Sequence, residues 1–432
     1  MEFITNIDKK KYDAFVENNP KGHFLQSYMW GEFARLEKNL TPHYVGVVDD
    51  EKNLIGSALL LEKKLPFKKS YFYIPRGMTL DYKDNNLLTF FVNELKKYAK
   101  SKKGIFIKID PDLIINKEDY LGNKKETLFL KEDINIFKNL GFRHLGFTKN
   151  FETMQPRYSF RIDNNLSFDE IINHFSKTTK QRIKKAEQIG AMVKIGDVKD
   201  IEKFYELMVL TENRKDFVTH NQKYYETLFK LGQENDNCKL FIGSINLEKI
   251  IYNYQNRIKK LKEEKEILDK KELRSKKENS RYNELKKELI KLKKDLDKYK
   301  NYIDTYGNEI VLSGHFIISY GNKAWVLYAG NHNILSETYV NYKTYYEHIK
   351  YYHDKVEIYD QFGTIGDLRG DNPLLGLHEF KKKFGGDYVE FIGEFDLVLN
   401  KTFYFMFTKL VPMYRKIIKK IAKSRRHKDK EV

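Results

Sequence analysis

The chain has 432 residues, 41% of them hydrophobic and 14% aromatic, with a formal charge of +18. That length supports a core large enough for two domains, and eight prolines and 24 glycines leave little for long unstructured linkers. One cysteine, Cys238, excludes a disulfide scaffold; no Cys/His cluster has zinc-site spacing, and no apolar run reaches the ~20 residues of a membrane-spanning helix.

From the N-terminus, MEFITNIDKK lacks the apolar segment of a secretory signal, and the single cysteine makes a reducing, cytosolic location the expectation. QSYMWGEF (26–33) precedes HYVGVVDDEKNLIGSALLLEKKL, two strand-like runs around a polar turn. YFYIPRGMTLDY adds a strand and a turn, and LLTFFVNELKKYAKSKK has the apolar spacing of an amphipathic helix. In FIKIDPDL, Phe106, Ile107 and Ile109 mark a buried strand that closes on Asp110, stiffened by Pro111. A carboxylate fixed in this way can serve as a positioned base; it can equally be a turn cap, a common role of Asp before Pro. SKTTKQRIKKAE gathers Lys177, Lys180, Arg182, Lys184 and Lys185 at a helix start, where they meet phosphates or simply solvate the helix face. Two further helices, IEKFYELMVLTENR and KYYETLFKLG, lead to the strand CKLFIGSINLEK, in which Cys238 reads as structural.

Composition changes abruptly between Ile250 and Tyr306. Apolar residues fall at Ile251, Tyr254, Ile258, Leu261 and Leu268, then at Leu285, Leu289, Leu292, Leu296, Tyr299 and Ile303, in the 3–4 steps of a heptad seam. Facing positions, such as Tyr254 with Tyr299 and Leu268 with Leu285, have residue numbers of nearly constant sum. A chain that folds back near Lys277 gives that signature, so the spacing predicts an antiparallel two-helix arm of roughly 40 Å. A parallel coiled coil joining two chains is the alternative. The strands EIVLSGHFIISYGN and KAWVLYAGN follow, which places the arm at the tip of a β-hairpin, where it leaves the sheet intact. SETYVNYKTYYEHIKYYHDK reads as a helix leading to VEIYDQFG, a strand that again has an Asp near its end. The order repeats that of the first half and implies a duplicated α/β unit.

Residues 251–300 hold 18 Lys and Arg against 10 Asp and Glu, and residues 409–432 hold 10 against 2, so two segments carry 16 of the 18 excess charges. Polyanionic partners at specific places are the expectation. The tail LVPMYRKIIKKIAKSRRHKDK, with Val411, Tyr414, Ile417, Ile418 and Ile421 on one side, suits an anionic membrane surface. No glycine-rich loop fits a coenzyme A pyrophosphate, since QFGTIGDLRG has the wrong spacing, and no G-x-x-x-x-G-K-[ST] run fits ATP. No cofactor and no metal are expected.

QSYMWGEF, YIPRGMTLDY, FIKIDPDL, GFRHLGFT, TKQRIKKAEQIG, WVLYAGN and FKKKFGGDYVEFIGEFDL, together with the arm, resemble the successive motifs of the Fem aminoacyltransferases over essentially the whole chain. The resemblance implies an α/β (α+β) fold with two acetyltransferase-like (GNAT) domains. These would be 1–160, completed by about 395–432, and 161–394, with the coiled-coil arm inserted at 248–306. It implies transfer of Gly, Ala or Ser from aminoacyl-tRNA to the stem-peptide lysine of lipid II, or of a UDP-linked muropeptide, at the inner face of the cell membrane. The arm is similar to the hairpin of seryl-tRNA synthetases, which suggests tRNA contact. A non-catalytic RNA- or membrane-binding protein on the same fold is the alternative from a different class.

Aminolysis of an ester needs an amine that loses a proton and a stabilised oxyanion. By the resemblance, Asp110 matches an aspartate proposed as catalytic, and Phe380 and Lys381 fall on a Phe-Lys pair implicated at the active site. Lys381 would stabilise the oxyanion or hold a phosphate. Trp30 is the motif tryptophan, and Tyr225 and Tyr328 match tyrosines of the precursor pocket, though core aromatics would look the same. Two positions depart from the family: a lysine often found four residues after the tryptophan is Ala34 here, and a basic residue four before Tyr225 is Asn221. Arg35 or Arg76 would then take over precursor contacts. Lys180, Arg182 and Lys184 are candidates for tRNA or an undecaprenyl pyrophosphate headgroup.

Overall fold

The computed structural model describes residues 1–214 and 218–410. The expected basic tail helix lies outside the described residues. Most strands form where large apolar residues alternate with a period of two. In chain order they are β1 (Glu2–Thr5), β2 (Thr41–Val48), β3 (Leu54–Leu65), β4 (Lys69–Ile74), β5 (Gly104–Ile109), β6 (Ile114–Glu118), β7 (Lys124–Lys125) and β8 (Phe142–His144). They continue with β9 (Tyr158–Asp163), β10 (Met192–Gly196), β11 (Cys238–Asn246), β12 (Glu309–Tyr320), β13 (Lys323–Asn331), β14 (Ile358–Asp360), β15 (Asp387–Phe391) and β16 (Phe395–Val398).

The described residues form two mixed sheets, ordered β1-β2-β3-β4-β5-β16-β8 and β10-β11-β12-β13-β14-β9-β15-β6-β7. Each begins as an antiparallel meander. Each then crosses over through a helix to a parallel strand: β4, Asn85–Ser101, β5 in one, and β13, Val340–His353, β14 in the other. Alternation assigns the faces. Val45, Leu60, Phe72 and Ile107 pack outward under the helix Asn85–Ser101. Leu59, Leu61 and Tyr73 turn inward, where they meet Leu240, Phe316 and Trp325 of the second sheet. The helices Tyr28–Lys38, Ile201–Glu212 and Gln222–Gln233 lie within that shared core.

The halves exchange strands. After β5 the chain leaves the first sheet through Asp110–Leu113 and enters the second as β6, beside β15. It returns through Ile392–Glu394 to place β16 between β5 and β8. The two straps run side by side, with the Ile392 amide donating to the Leu113 carbonyl at 2.9 Å. The segment before residue 160 therefore contributes strands to both sheets.

Between the paired ends of β11 and β12, Asn246 and Glu309, the chain builds the helices Leu247–Asp269 and Lys276–Tyr306. Ile258, Leu261, Leu268, Leu285 and Leu289 pack along their contact, and the Tyr254 and Tyr299 rings meet at 5.2 Å. Ser275 caps the second helix reciprocally with Glu278, and Arg257–Glu288 and Arg281–Glu264 pairs bridge the two helices at the surface.

Candidate functional site

At the first strap, β4 ends in a tight turn in which Arg76 takes φ +60°. Asp110 holds that turn. Its Oδ1 accepts from the Arg76 amide at 2.6 Å and its Oδ2 from the Tyr73 hydroxyl at 2.7 Å. The side chain is 3% exposed. Burial pushes the Asp110 carboxyl up to about 7 against the pull of the Arg76 charge, and Glu394 pushes it further. Beside it, Arg76, Gln155, Pro156, Arg157 and Glu394 enclose a cavity of about 10 Å³, the space of a single water. Asp110, expected as a positioned base, here caps the Arg76 turn with both carboxylate oxygens hydrogen-bonded.

Arg76 itself is engaged at this junction. Its Nη2 donates to the Pro156 carbonyl at 3.0 Å, and its guanidinium lies 4.4 Å from the Phe391 ring centre. Arg161 approaches the same ring at 4.9 Å. Arg161 also joins two buried carboxylates, Asp112 at 2.6 Å and Asp360 at 2.8 Å. Burial alone would raise the Asp112 carboxyl; the Arg161 charge and hydrogen bond more than reverse this and hold it below the usual carboxylate range. Asp112 lies on the first strap, and Arg161 and Asp360 lie on β9 and β14, so this ion triad fastens one half to the other.

In the second half, Lys381 is 8% exposed, and its ammonium donates to the carbonyls of Phe362 and Gly363 at 2.6 and 2.7 Å. Burial pushes it down to about 7, against the opposing charge of Asp360. Two of its three donors are used in these bonds. Phe380 packs at 5.2 Å against each of Tyr342, Tyr345 and Phe384. Arg182 hydrogen-bonds the Tyr342 hydroxyl and stacks over that ring at 4.9 Å. The Lys180 ammonium donates to the Asn173 carbonyl at 3.2 Å, and Lys184 is exposed.

A third group forms between the halves. Ser27 caps the helix Tyr28–Lys38, and Gly31 lets that helix press on β2, since a Cβ there would collide with the Tyr44 hydroxyl. This seats Trp30 and Phe33 against Tyr224, which hydrogen-bonds Tyr328 through their hydroxyls at 2.9 Å. Tyr225 is fully buried, with its hydroxyl 2.7 Å from that of Thr219. The Lys38 ammonium sits over the Trp30 ring at 4.4 Å, and burial lowers it to about 8. Arg35 turns outward to Glu32 at 2.8 Å.

The structure thus brings Trp30, Tyr225 and Tyr328 into one cluster, Asp110 with Arg76 in another, and Phe380 with Arg182 around Tyr342 in a third, while Lys381 is held by the Phe362 and Gly363 carbonyls. Arg35 joins none of them. Asp112, Arg161 and Lys38 were not among the residues expected from the sequence. Asp112 was in plain view in the DPD stretch, and the alternation after Pro111 was the signal. Lys38 falls one helical turn beyond Ala34 on the face of Trp30, so extending the same spacing would have found it.

The sequence profile of the FemAB family matches residues 7–411. The lipid II:glycine glycyltransferase of Staphylococcus aureus (strain MRSA252) is 29% identical over 434 residues, spanning 98% of this chain and 99% of that protein. The enzyme of the same name from Staphylococcus haemolyticus (strain JCSC1435) is 30% identical over 428 residues, spanning 97% and 98%. Among solved structures, the crystal structure of FemX matches with a TM-score of 0.75 at 27% identity, covering 94% of this chain and 99% of that one.

Proposed function

The chain belongs to the FemAB family, and from that membership we propose that it transfers an amino acid from aminoacyl-tRNA to the stem-peptide lysine of lipid II, building the peptidoglycan interpeptide bridge. The observation that carries this reading is the similarity, over 97–98% of this chain and 98–99% of theirs, to relatives named for glycyl transfer on lipid II. Glycine is the first candidate donor, with alanine and serine behind it. The two repeated sheet-and-helix units are read as acetyltransferase-like halves.

In the reaction the lysine amine attacks the ester carbonyl. An amide C–N bond forms, the ester C–O bond to the terminal ribose breaks, the amine loses a proton and the ribose hydroxyl gains one. Because the ester is already activated, positioning supplies much of the rate. Lys381 is assigned to the developing oxyanion, with its remaining donor aimed by the two carbonyls that hold the other two. Asp110 is a positioning residue that fixes the Arg76 turn. Trp30, Tyr225 and Tyr328 are assigned to the acceptor pocket, with Lys38 as the cation nearest to it, since Arg76 is engaged at the strap. Among the described residues no helix is long and apolar enough to cross a membrane, and a peripheral position at the inner membrane face is proposed.

The test is incubation of the purified chain with lipid II and a mixed pool of charged tRNAs, followed by mass spectrometry of the stem peptide. A gain of one or more amino-acid residues is expected, and its mass names the donor. No gain with any donor, and none on the UDP-linked precursor, would leave a non-catalytic RNA- or membrane-binding protein.

A further inference from the structure

The turn joining β3 to β4 is built from Pro66, Phe67 and Lys68, closed by the Lys69 amide donating to the Pro66 carbonyl at 3.3 Å. Both central residues are left-handed, Phe67 at φ +60° and Lys68 at +54°. Asn-Gly is the usual choice for such a turn, because a bulky side chain strains it. Here the strained residue is a phenylalanine that stays 80% exposed at the hairpin tip. It buries little in the fold, so core packing does not account for a phenylalanine in this turn.

The surroundings of that tip are uniform in charge. Three segments meet there. Residues 63–71 form the hairpin, residues 100–105 run beside it through Ser70–Lys103 hydrogen bonding, and residues 399–410 pack on both. The Tyr71 and Phe407 rings lie 5.4 Å apart, and the Lys69 ammonium covers the Phe403 ring at 4.7 Å. None of the three contains an aspartate or glutamate. The acidic residues nearest in sequence, Glu62 and Asp396, are buried, the one against His43 and the other against Tyr404 and Lys108. Lys64, Lys68, Lys102, Lys103, Lys401 and Lys409 are exposed. Phe405 and Met406, at 57% and 40% exposure, add apolar surface on the helical segment that packs behind the hairpin.

We propose that this face, with Phe67 as its wedge and the lysines around it, docks on the surface of an anionic phospholipid bilayer. Apolar side chains enter the boundary between headgroups and acyl chains, while lysines reach lipid phosphates from their flexible stems. The alternative occupant is RNA. It is disfavoured because the patch is all lysine, with no arginine fork to grip phosphate bidentately, and because its protruding tip is a strained, purely apolar wedge. The docking surface extends the proposed function, since it would hold the chain where a lipid-linked acceptor resides, but it stands without that reading.

The experiment uses the full chain and vesicles of phosphatidylcholine, with or without phosphatidylglycerol, and no lipid II. Trp30 and Trp325, the two native tryptophans, are buried, so Phe67→Trp installs an indole that reports on the tip. Expected are co-sedimentation with the anionic vesicles only, weakened by salt, a blue-shifted indole and its quenching by brominated lipid. Phe67→Ser with Phe405→Ser should weaken binding roughly tenfold, and Lys64→Glu with Lys68→Glu should remove the preference for anionic lipid. Any of three results overturns the proposal: no vesicle binding, binding with an unshifted indole, or charge-reversed variants that lose tRNA binding while holding vesicles unchanged. Transfer measured on detergent-dispersed lipid II tests the proposed function separately.

Discussion

Asp110 and Asp360 occupy the same place in the two halves, at the end of the parallel strand that follows the crossover helix, yet their surroundings differ. Asp110 is met by a hydroxyl and an amide, and its carboxyl is pushed up to about 7. Asp360 is met by the Arg161 guanidinium, the Ser159 hydroxyl and the Phe362 amide. One repeat uses its aspartate as a neutralisable cap, while the other uses it as the anion of a buried triad that also faces Lys381. A strand-end carboxylate thus has no fixed role in this fold. What approaches it from the neighbouring strand decides.

The comparison breaks most sharply at Arg161. Arg161→Met leaves Asp112 and Asp360 buried without their cation and should cost about 3–5 kcal/mol in denaturant unfolding. Adding Asp112→Asn and Asp360→Asn should recover most of that loss; no recovery would mean that the triad is not what fastens the halves. The next effect is on rate. Lys381→Met is expected to lower kcat roughly 10²-fold, or about 2.7 kcal/mol, with folding retained. Burial sets the Lys381 ammonium at about 7, so the wild-type rate should lose its Lys381 contribution as pH rises through that value. Lys381→Arg, which stays charged, should show no such loss. A wild-type profile without that decline, or one shared by the arginine variant, counts against the assignment.

Asp110 sharpens the comparison through pH. Its folded value of about 7 lies above the ordinary 3.8, so between those values the folded chain holds a proton that the unfolded chain has lost. Stability relative to Asp110→Asn should therefore fall as pH rises from about 4 to about 7 and then level off, by up to about 4 kcal/mol in total. Equal unfolding midpoints relative to the variant at pH 5 and pH 8 would refute the raised carboxyl. The smallest effect is expected at Arg35. It is paired only with Glu32 at the surface, and Arg35→Ala should leave both the unfolding midpoint and the KM for lipid II unchanged. A raised KM would return Arg35 to the acceptor site.

Local periodicity made much of the fold legible. The strands around FIKIDPDL and CKLFIGSINLEK follow their apolar alternation, and Ile258, Leu261, Leu268, Leu285 and Leu289, spaced in heptad steps, are the residues that pack between the two long helices. The strand exchange was not legible, because the partners of β6 and β16 lie in the opposite half and nothing local to Ile114–Glu118 names β15. The site was read unevenly for the same reason. A carboxylate at a strand end can be seen in one sequence, but the Tyr73 hydroxyl and the Arg76 amide that enclose it come from another strand. Lys38 needed only one more helical turn of the same reasoning.

The position of β16 bears on how the chain is made. The first sheet cannot close between β5 and β8 until Phe395–Val398 has left the ribosome, so the first half waits with two open edges for a strand made after the second half. Such an order favours slow, late maturation and exposure to aggregation during synthesis. A fragment cut between the halves should emerge as an insoluble product, whereas the two pieces produced together should rescue each other.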